Sequence, residues 1–270
     1  MALHIRANHS KPQKPWNVET ISHHHAQRLS ASVGGKAYCT VLYCSTARAQ
    51  TADLYTFTSG VGTTLDPMSG ATNLIGPNQT YATSGVQGIG FTFHFAETDY
   101  TQYSVNENGC LRLGSTVITG FGINTINANT SYDPKVGAFV AQGMTTAIGA
   151  VSTVLTGSAP NRIRVIQWNT YVGVSGDTPN CLFQLWLYEG SNVIQCRYGT
   201  GAPALGGWSG IRDETSYNYL NVRPGPTVSS SNATALGSWP GDGVLFTFTP
   251  PAPRPLRAIP WPLPRAYAPA

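Results

Sequence analysis

The chain has 270 residues, of which only 10% are charged, and it contains 29 glycines and 19 prolines. A charged fraction far below the usual quarter argues against a helical cytosolic enzyme and favours many short strands joined by tight turns. Residues 53–249 contain seven basic and eleven acidic residues, so the positive net charge of +4 comes from the two ends. The mildly acidic central part lacks the basic footprint of a nucleic-acid-binding domain, and no nucleic-acid partner is predicted.

The first 50 residues divide into two predicted segments. Residues 1–36 show no apolar periodicity and contain three consecutive histidines at 23–25. We interpret this segment as a disordered or misassigned tail, with weak metal binding by the histidines as the alternative. Residues 37–50 are weakly apolar and end in Ala47-Arg48-Ala49, the small-x-small pattern of a signal-peptidase site. They are predicted to be the end of a signal peptide, which indicates export to the cell surface or the extracellular space.

Residues 51–249 are predicted to form an all-β domain, an antiparallel two-sheet β-sandwich with a jelly-roll-like or immunoglobulin-like layout. Apolar and polar residues alternate most clearly around Phe91, Phe93 and Phe95, and Asn108-Gly109 predicts a hairpin turn shortly afterwards. Only residues 144–150 resemble a helical turn. The predicted strands are 54–58, 88–95, 101–105, 110–113, 135–141, 151–156, 162–168, 181–189, 193–198, 208–212, 219–222 and 244–249.

Residues 250–270 contain eight prolines, which exclude a regular helix or a central strand. We predict a disordered Pro/Arg-rich tail or linker, and the P-x-x-P spacing of Pro250 and Pro253 leaves recognition by a partner domain as the alternative. The chain has no run of 18 apolar residues, so no membrane span is predicted.

Three cysteines lie in the predicted sandwich, and hairpin register argues against a disulfide between two of them. If residues 190–191 form a two-residue turn, Cys196 lies opposite Leu185. Cys181 would then lie about 13 Å from Cys196 along the ladder, which is too far for a disulfide. We interpret both as small buried apolar residues, and a bridge from Cys110 to one of them stays open. The lack of a C-x-x-C or H-x-x-x-H pair argues against structural zinc.

Groups that could perform catalysis are sparse. His94 is the only histidine of the predicted sandwich, and its parity places it opposite the phenylalanine face, on solvent or an edge. Ser209 lacks the flanking glycine spacing of a nucleophile elbow. Asp213 and Glu214 are neighbours that would point to opposite sides of a strand, unlike the paired carboxylates of glycoside hydrolysis. The chain is therefore predicted not to be an enzyme, with no catalytic residues and no organic cofactor.

Four oxygen-bearing side chains near one hairpin are weak candidates for a calcium site: Glu97, Asp99, Asn106 and Asn108. The alternative is turn chemistry, because Asn and Asp side chains bond to their own backbone. Calcium is the one metal that the sequence leaves open within residues 51–249.

Aromatic residues on an outward face are the remaining indication of a binding role. Trp186 and Tyr188 share the face of strand 181–189 that lies opposite its apolar residues. Such a pair can stack on sugars or pack against another surface protein, so these two residues are the candidate ligand-binding pair. The alternative is that the long loops at 120–133 or 222–239 cover this face.

Several runs of the chain resemble a known kind of module. They are Y-T-F-T-S-G-V-G at 55–62, I-G-F-T-F-H-F at 89–95, Y-T-Q-Y-S-V-N-E-N-G-C-L-R-L-G at 100–114, G-S-A-P-N-R at 157–162 with the strand ending at Gln167-Trp168, and F-Q-L-W-L-Y-E at 183–189. Together, over about residues 53–249, they resemble an extracellular β-sandwich module of secreted or cell-surface proteins of Bacteroidetes-type bacteria.

Proteins with such modules often carry fibronectin type III or immunoglobulin-like repeats and a C-terminal type IX secretion sorting domain. The paired acids that the family has after Asp133-Pro134-Lys135 are missing here, so no calcium or catalytic role carries over from them. The resemblance implies a non-catalytic extracellular module with a role in adhesion or interaction. A carbohydrate-binding, lectin-like module is the second hypothesis, and a hydrolase domain is the third.

Overall fold

The computed structural model describes residues 26–33, 36–43, 50–119, 125–127, 133–141, 144–172, 179–203 and 205–252. The chain divides into two compact units, one of Met1–Arg48 with Pro253–Ala270 and the other of Ala49–Ala252. In the first unit, β1 (Ala26–Val33) and β2 (Lys36–Tyr43) form an antiparallel pair. The histidine run, the Ala47-Arg48-Ala49 pattern and residues 253–270 lie outside the described residues, so the tail, signal end and linker stay predictions.

The second unit contains one 3-10 helix, Ala52–Leu54, and two antiparallel sheets of seven strands each among its described residues, which confirms the predicted two-sheet β-sandwich. The strands are β3 (Thr56–Gly60), β4 (Thr72–Ile75), β5 (Gln87–Phe95), β6 (Thr98–Val105), β7 (Cys110–Leu113), β8 (Lys135–Val140), β9 (Met144–Thr156), β10 (Ile163–Val172), β11 (Cys181–Tyr188), β12 (Ile194–Gly201), β13 (Trp208–Arg212), β14 (Tyr219–Arg223), β15 (Thr227–Ser229) and β16 (Leu245–Thr249). Sheet I has the order β3-β16-β12-β11-β10-β9-β4, and sheet II has the order β15-β14-β13-β8-β7-β6-β5.

Period-two alternation of apolar residues places one face of each sheet in a common core. On β5 the alternate residues from Ile89 to Phe95 are buried, and on β11 those from Cys181 to Leu187 are buried. Trp168 stacks on Phe183 at a centroid distance of 5.3 Å, and its Nε1 donates a hydrogen bond of 2.8 Å to the carbonyl of Asn106 in the other sheet. Burying such a side chain stabilises the fold by about 3 kcal/mol, and its partnered N–H removes the usual cost of a buried donor.

Three strands of the two sheets differ from the sequence prediction. The short strands β4 and β15 have no clear alternation and lie at sheet edges. Strand β4 pairs with the distant strand β9, whereas β15 forms a short hairpin with β14. Strand β9 begins at Met144, so the segment that resembles a helical turn is extended and pairs with β10. In all three, pairing with another strand decides the structure, and local propensity does not encode it. Among the described residues, no helix is long and apolar enough to cross a lipid bilayer.

The predicted hairpin register is confirmed at its centre. Cys196 lies opposite Leu185, whereas a bulge shifts Cys181 to a position opposite Gly201. Cys110, Cys181 and Cys196 are buried free thiols, so the alternative bridge from Cys110 is not formed. Burial raises the pKa of each of these three thiols to about 12, which leaves them protonated and unreactive at neutral pH.

Candidate functional site

The outer face of sheet II is covered by loops. A second apolar cluster forms there between strand residues and loop residues, and its members are Cys110, Ile118, Ile126, Val140, Trp208 and Tyr219, with Ala233 and Ala235 packed against it. Gly137 permits this packing, since a Cβ atom there would lie 2.2 Å from the Trp208 ring. Ile126, Ala233 and Ala235, which belong to the two loops that we considered as a cover for Trp186, therefore pack on the opposite sheet. Trp208 and Trp168 are both fully buried.

Three charged side chains, Asp133, Lys135 and Arg212, are buried on the outer side of sheet II. Arg112, Lys135 and Arg212 lie opposite one another on three neighbouring strands. The carboxylate of Asp133 lies 3.3 Å from Lys135 Nζ and accepts a hydrogen bond of 2.8 Å from Arg212 Nε. Burial raises the pKa of Asp133 and lowers that of Lys135, and their mutual attraction opposes both shifts. Arg212 also lies near the ring of Tyr219, at 5.9 Å from its centroid.

The outer face of sheet I is partly exposed around its central strand, β11. We define the open-face patch as Gln167, Gln184, Trp186, Tyr188, Gln195 and Arg197, six side chains on β10, β11 and β12 that point away from the core. Antiparallel register brings them together, because Trp186 lies opposite Gln195 and Gln184 lies opposite both Gln167 and Arg197. All except Gln184 are partly exposed.

Arg197 organises the patch around Trp186. Its guanidinium carbon lies 3.5 Å from the centroid of the Trp186 ring, a close cation–π contact. Its Nη2 donates to Gln195 Oε1 at 2.8 Å and to the Tyr188 hydroxyl at 3.1 Å. Tyr188 in turn donates to Gln195 Oε1 at 2.7 Å, and its ring centroid lies 6.1 Å from that of Trp186. Burial raises the pKa of Tyr188, which keeps the hydroxyl protonated as a donor.

The segment before β4 fixes one side of the patch. The side chain of Gln184 bonds to both backbone groups of Asp66, accepting from its N–H and donating to its carbonyl, each at 2.8 Å. Its Oε1 also accepts a hydrogen bond from Trp186 Nε1 at 2.9 Å. Arg197 Nη1 donates to the Thr64 carbonyl at 2.9 Å. The patch is thus a preorganised surface whose donors and acceptors hold the aromatic rings in one arrangement.

The sequence pointed to Trp186 and Tyr188, and the structure brings both together as neighbours. The four polar members of the patch were not identified from the sequence. The hairpin register that was derived for the cysteines already places Gln195 opposite Trp186, so this one neighbour could have been predicted from the sequence. The contact between Gln184 and Asp66 joins residues 118 positions apart and has no local signal.

The four calcium candidates are not brought together. Glu97 and Asp99 are exposed at the start of β6, and Asp99 Oδ1 lies 2.7 Å from His94 Nδ1. Asn106 and Asn108 follow the other end of this eight-residue strand, roughly 23 Å away at the usual strand rise. The side chain of Asn106 accepts from the Cys110 N–H and donates to the Thr119 carbonyl. Within the described ranges, no group of three or more His, Cys, Asp or Glu residues could hold a metal ion.

The candidate catalytic groups have structural contacts instead. Ser209 is buried, and its hydroxyl donates to the Gly137 carbonyl and accepts from the Tyr198 hydroxyl, each at 3.2 Å. Asp213 accepts hydrogen bonds from the Ala52 N–H and from Ser216. These contacts hold turns and strands in place and leave neither side chain directed at an open site.

Glu107 is a buried acid that the sequence did not single out. It lies in the hairpin between β6 and β7, is fully buried, and neither of its carboxylate oxygens meets hydrogen-bond geometry with another described residue. Burial raises its pKa to about 8, against the lowering effect of nearby backbone groups at Tyr81, Ala82 and Glu107 itself. An acid in an Asn-Glu-Asn-Gly turn is ordinarily exposed, so no local pattern indicates this burial.

One comparison with known proteins gives a match. The family model described as NIDO related matches residues 54–250, which coincide with the two-sheet sandwich. No curated protein and no solved structure matches the chain.

Proposed function

Because the chain belongs to the NIDO-related family, a nidogen-like family whose domains are typically extracellular, we propose that it is a non-catalytic extracellular recognition module. The observation that carries the proposal is the contrast between the two outer faces: loops cover sheet II, whereas sheet I presents the open-face patch. Partners of this patch are surface proteins, and the role is adhesion or interaction. The resemblance to modules of bacterial surface proteins supports action at a cell surface.

A protein partner fits the patch through its chemistry. The patch has an aromatic centre with one cation and several amide groups, the composition that is enriched in protein interfaces. Trp186 and Arg197 are of the residue types that most often dominate binding energy. Since the rings are already held in place by hydrogen bonds, binding would require little ordering of side chains.

A carbohydrate is the second candidate, and the aromatic pair favours it. Trp186 and Tyr188 form a tilted pair with amide donors beside it, an arrangement that can stack on a sugar ring and bond to its hydroxyls. However, the Arg197 guanidinium already lies over one face of the Trp186 ring, so a sugar cannot stack on that face. This contact makes a protein partner the better-supported proposal.

The test is binding of the fluorescently labelled full chain to a panel of bacterial and animal cells. Trp186→Ala should reduce binding at least about tenfold, as for a central interface residue. Tyr217→Ala is the control, since this aromatic side chain is more exposed than Trp186 but contacts Arg212 on the sheet II side. Equal binding by wild type and Trp186→Ala would contradict the proposed site.

Pretreatment of the cells separates the two kinds of partner. Loss of binding after protease treatment supports a surface protein, whereas loss after periodate oxidation of sugars supports a glycan. A glycan array provides the direct check on the second candidate. Turnover of any substrate in a polysaccharide and ester panel would contradict the non-catalytic assignment.

A further inference from the structure

The two sheets are joined at one edge of the sandwich and separated at the other. At the β5 edge of sheet II, side chains from sheet I bond to the outward backbone groups. Arg164 Nε donates to the Ile89 carbonyl at 2.9 Å, and Arg162 Nη1 donates to the Gly90 carbonyl at 2.6 Å. The His94 N–H donates to Asn192 Oδ1 at 2.9 Å. These contacts satisfy the backbone of β5 and prevent another strand from adding there.

The edge strand β3 of sheet I has no such protection. It pairs with β16 on one side, and within the described residues no hydrogen bond reaches its other side. Alternate residues of an edge strand direct their N–H and C=O groups outward. The sequence Thr-Phe-Thr-Ser-Gly has neither a proline nor a charge, the features that usually block strand addition. Four of its five residues are exposed.

A cleft opens between the sheets beside this edge. It has a volume of about 530 Å³ and lies between the end of β3 and the turn that joins β14 to β15. Trp239 lines it and packs edge-on against core rings, at centroid distances of 5.0 Å from Phe139 and 5.4 Å from Tyr198. Val61 lies at the opening and is 86% exposed. No charged side chain lines the cleft.

We propose that β3 and this cleft form a binding site for an uncharged extended peptide of a partner protein, which adds to sheet I as an eighth strand and inserts an apolar side chain between the sheets. The unpaired backbone of β3 requires main-chain donors and acceptors, which an extended peptide supplies. Side chains of an added strand alternate between the two faces, so every second one would point into the cleft. Because the cleft has no charge, an apolar side chain is the matching one. The site is distinct from the open-face patch and does not depend on it.

The probe is the fluorescein-labelled heptapeptide acetyl-Thr-Val-Thr-Z-Thr-Val-Thr-amide, with Z as Leu, Phe, Ala, Asp or Lys, and fluorescence polarisation with the full chain measures its binding. Leu or Phe at Z should bind at least about tenfold more tightly than Asp or Lys, as expected from burial of one apolar side chain. Hydrogen exchange should become slower in β3 on binding. Backbone N-methylation of the peptide at Z and its neighbours should abolish binding, because it removes main-chain donors.

Two variants of β3 locate the site. Ser59 lies opposite Phe246, so its side chain points towards the cleft, whereas Thr58 lies opposite Thr247 and points to the outer face. Ser59→Trp should fill the cleft and reduce peptide binding at least about tenfold. Thr58→Trp adds the same bulk to the other face of the same exposed strand and should leave binding within about twofold of wild type. The second variant also shows that a tryptophan on β3 is compatible with folding.

Three results would overturn the proposal. The first is no binding by any of the peptides, and the second is equal binding by Ser59→Trp and wild type. The third is unchanged affinity of the N-methylated peptide, which would indicate an apolar pocket without strand addition. Sedimentation of the chain alone checks for a second copy: a dimer that Ser59→Trp dissociates would assign the edge to self-association instead.

Discussion

The two outer faces of the sandwich use similar residues in opposite ways. On sheet II, Arg212 lies near a tyrosine ring and an acid beneath covering loops, and on sheet I, Arg197 lies on Trp186 within reach of solvent. A buried charge must be fully paired, because its desolvation is costly, whereas a half-exposed charge remains hydrated and contributes little to stability. We infer that the covered polar groups are structural, and the proposed recognition role falls to the partly exposed ones.

The largest expected effect is on the covered face. Asp133→Asn should destabilise the protein by about 3–5 kcal/mol, because it removes the buried carboxylate that lies beside Lys135 and accepts a hydrogen bond from Arg212. Urea denaturation monitored by circular dichroism measures the change. Asp99→Asn removes the same charge from an exposed partner of His94 and should cost less than about 0.5 kcal/mol. Equal effects of the two substitutions would show that the cover does not control the energetics.

Glu107 extends the comparison to a covered acid that has no counter-charge. Its carboxyl has an ordinary pKa of 4.5 when unfolded and a pKa raised to about 8 in the fold. Between these values the unfolded state binds fewer protons, so stability falls as pH rises from 4.5 to 8 and its slope flattens above 8. The total loss is on the order of a few kcal/mol.

Glu107→Gln should remove this pH dependence. The variant and the wild type should have similar free energies of unfolding at pH 4.5, and the variant should be more stable at pH 8, by a few kcal/mol. Denaturant titrations at several pH values provide the measurement. If both proteins show the same slope between pH 4.5 and 8, the carboxyl at 107 is not the group that titrates.

Substitution on the open face should have only a small effect on stability. Arg197→Ala removes a cation–π contact and several hydrogen bonds, but its neighbours remain accessible to water, so the expected cost is below about 1 kcal/mol. Fluorescence quenching by iodide should increase, because Trp186 loses the guanidinium that lies over its ring. A destabilisation as large as that of Asp133→Asn would place Arg197 among the structural residues and remove the distinction between the faces.

Local patterns in the sequence predict the parts of the fold that depend on neighbours in the chain. Alternation identified the buried face of β5, and hairpin register placed Cys196 opposite Leu185. The same register could have supplied Gln195 as a neighbour of Trp186. These relations hold because strand parity and short turns are set by adjacent residues.

Features that depend on distant segments could not be predicted in this way. Nothing local indicates which sheet the long loops cover, or that Asp133 would meet Arg212 from another strand. The burial of Glu107 depends on a segment more than twenty residues earlier: the Glu107 N–H donates to the Ala82 carbonyl at 3.2 Å, and the Ser84 N–H donates to the Val105 carbonyl at 2.8 Å. Contacts between segments so far apart in the chain can be identified only from the folded structure.

The contacts of Asn106 have a consequence for how the chain can vary. Its backbone carbonyl accepts from Trp168, its side-chain oxygen accepts from Cys110, and its side-chain nitrogen donates to Thr119. Aspartate would lose the donor, leucine would lose both side-chain bonds, and glutamine would displace them by a methylene. One amide thus ties a hairpin to a covering loop beside a strand of the opposite sheet. That position should therefore accept few substitutions, whereas Arg197 in the patch should accept them at the small cost in stability given above.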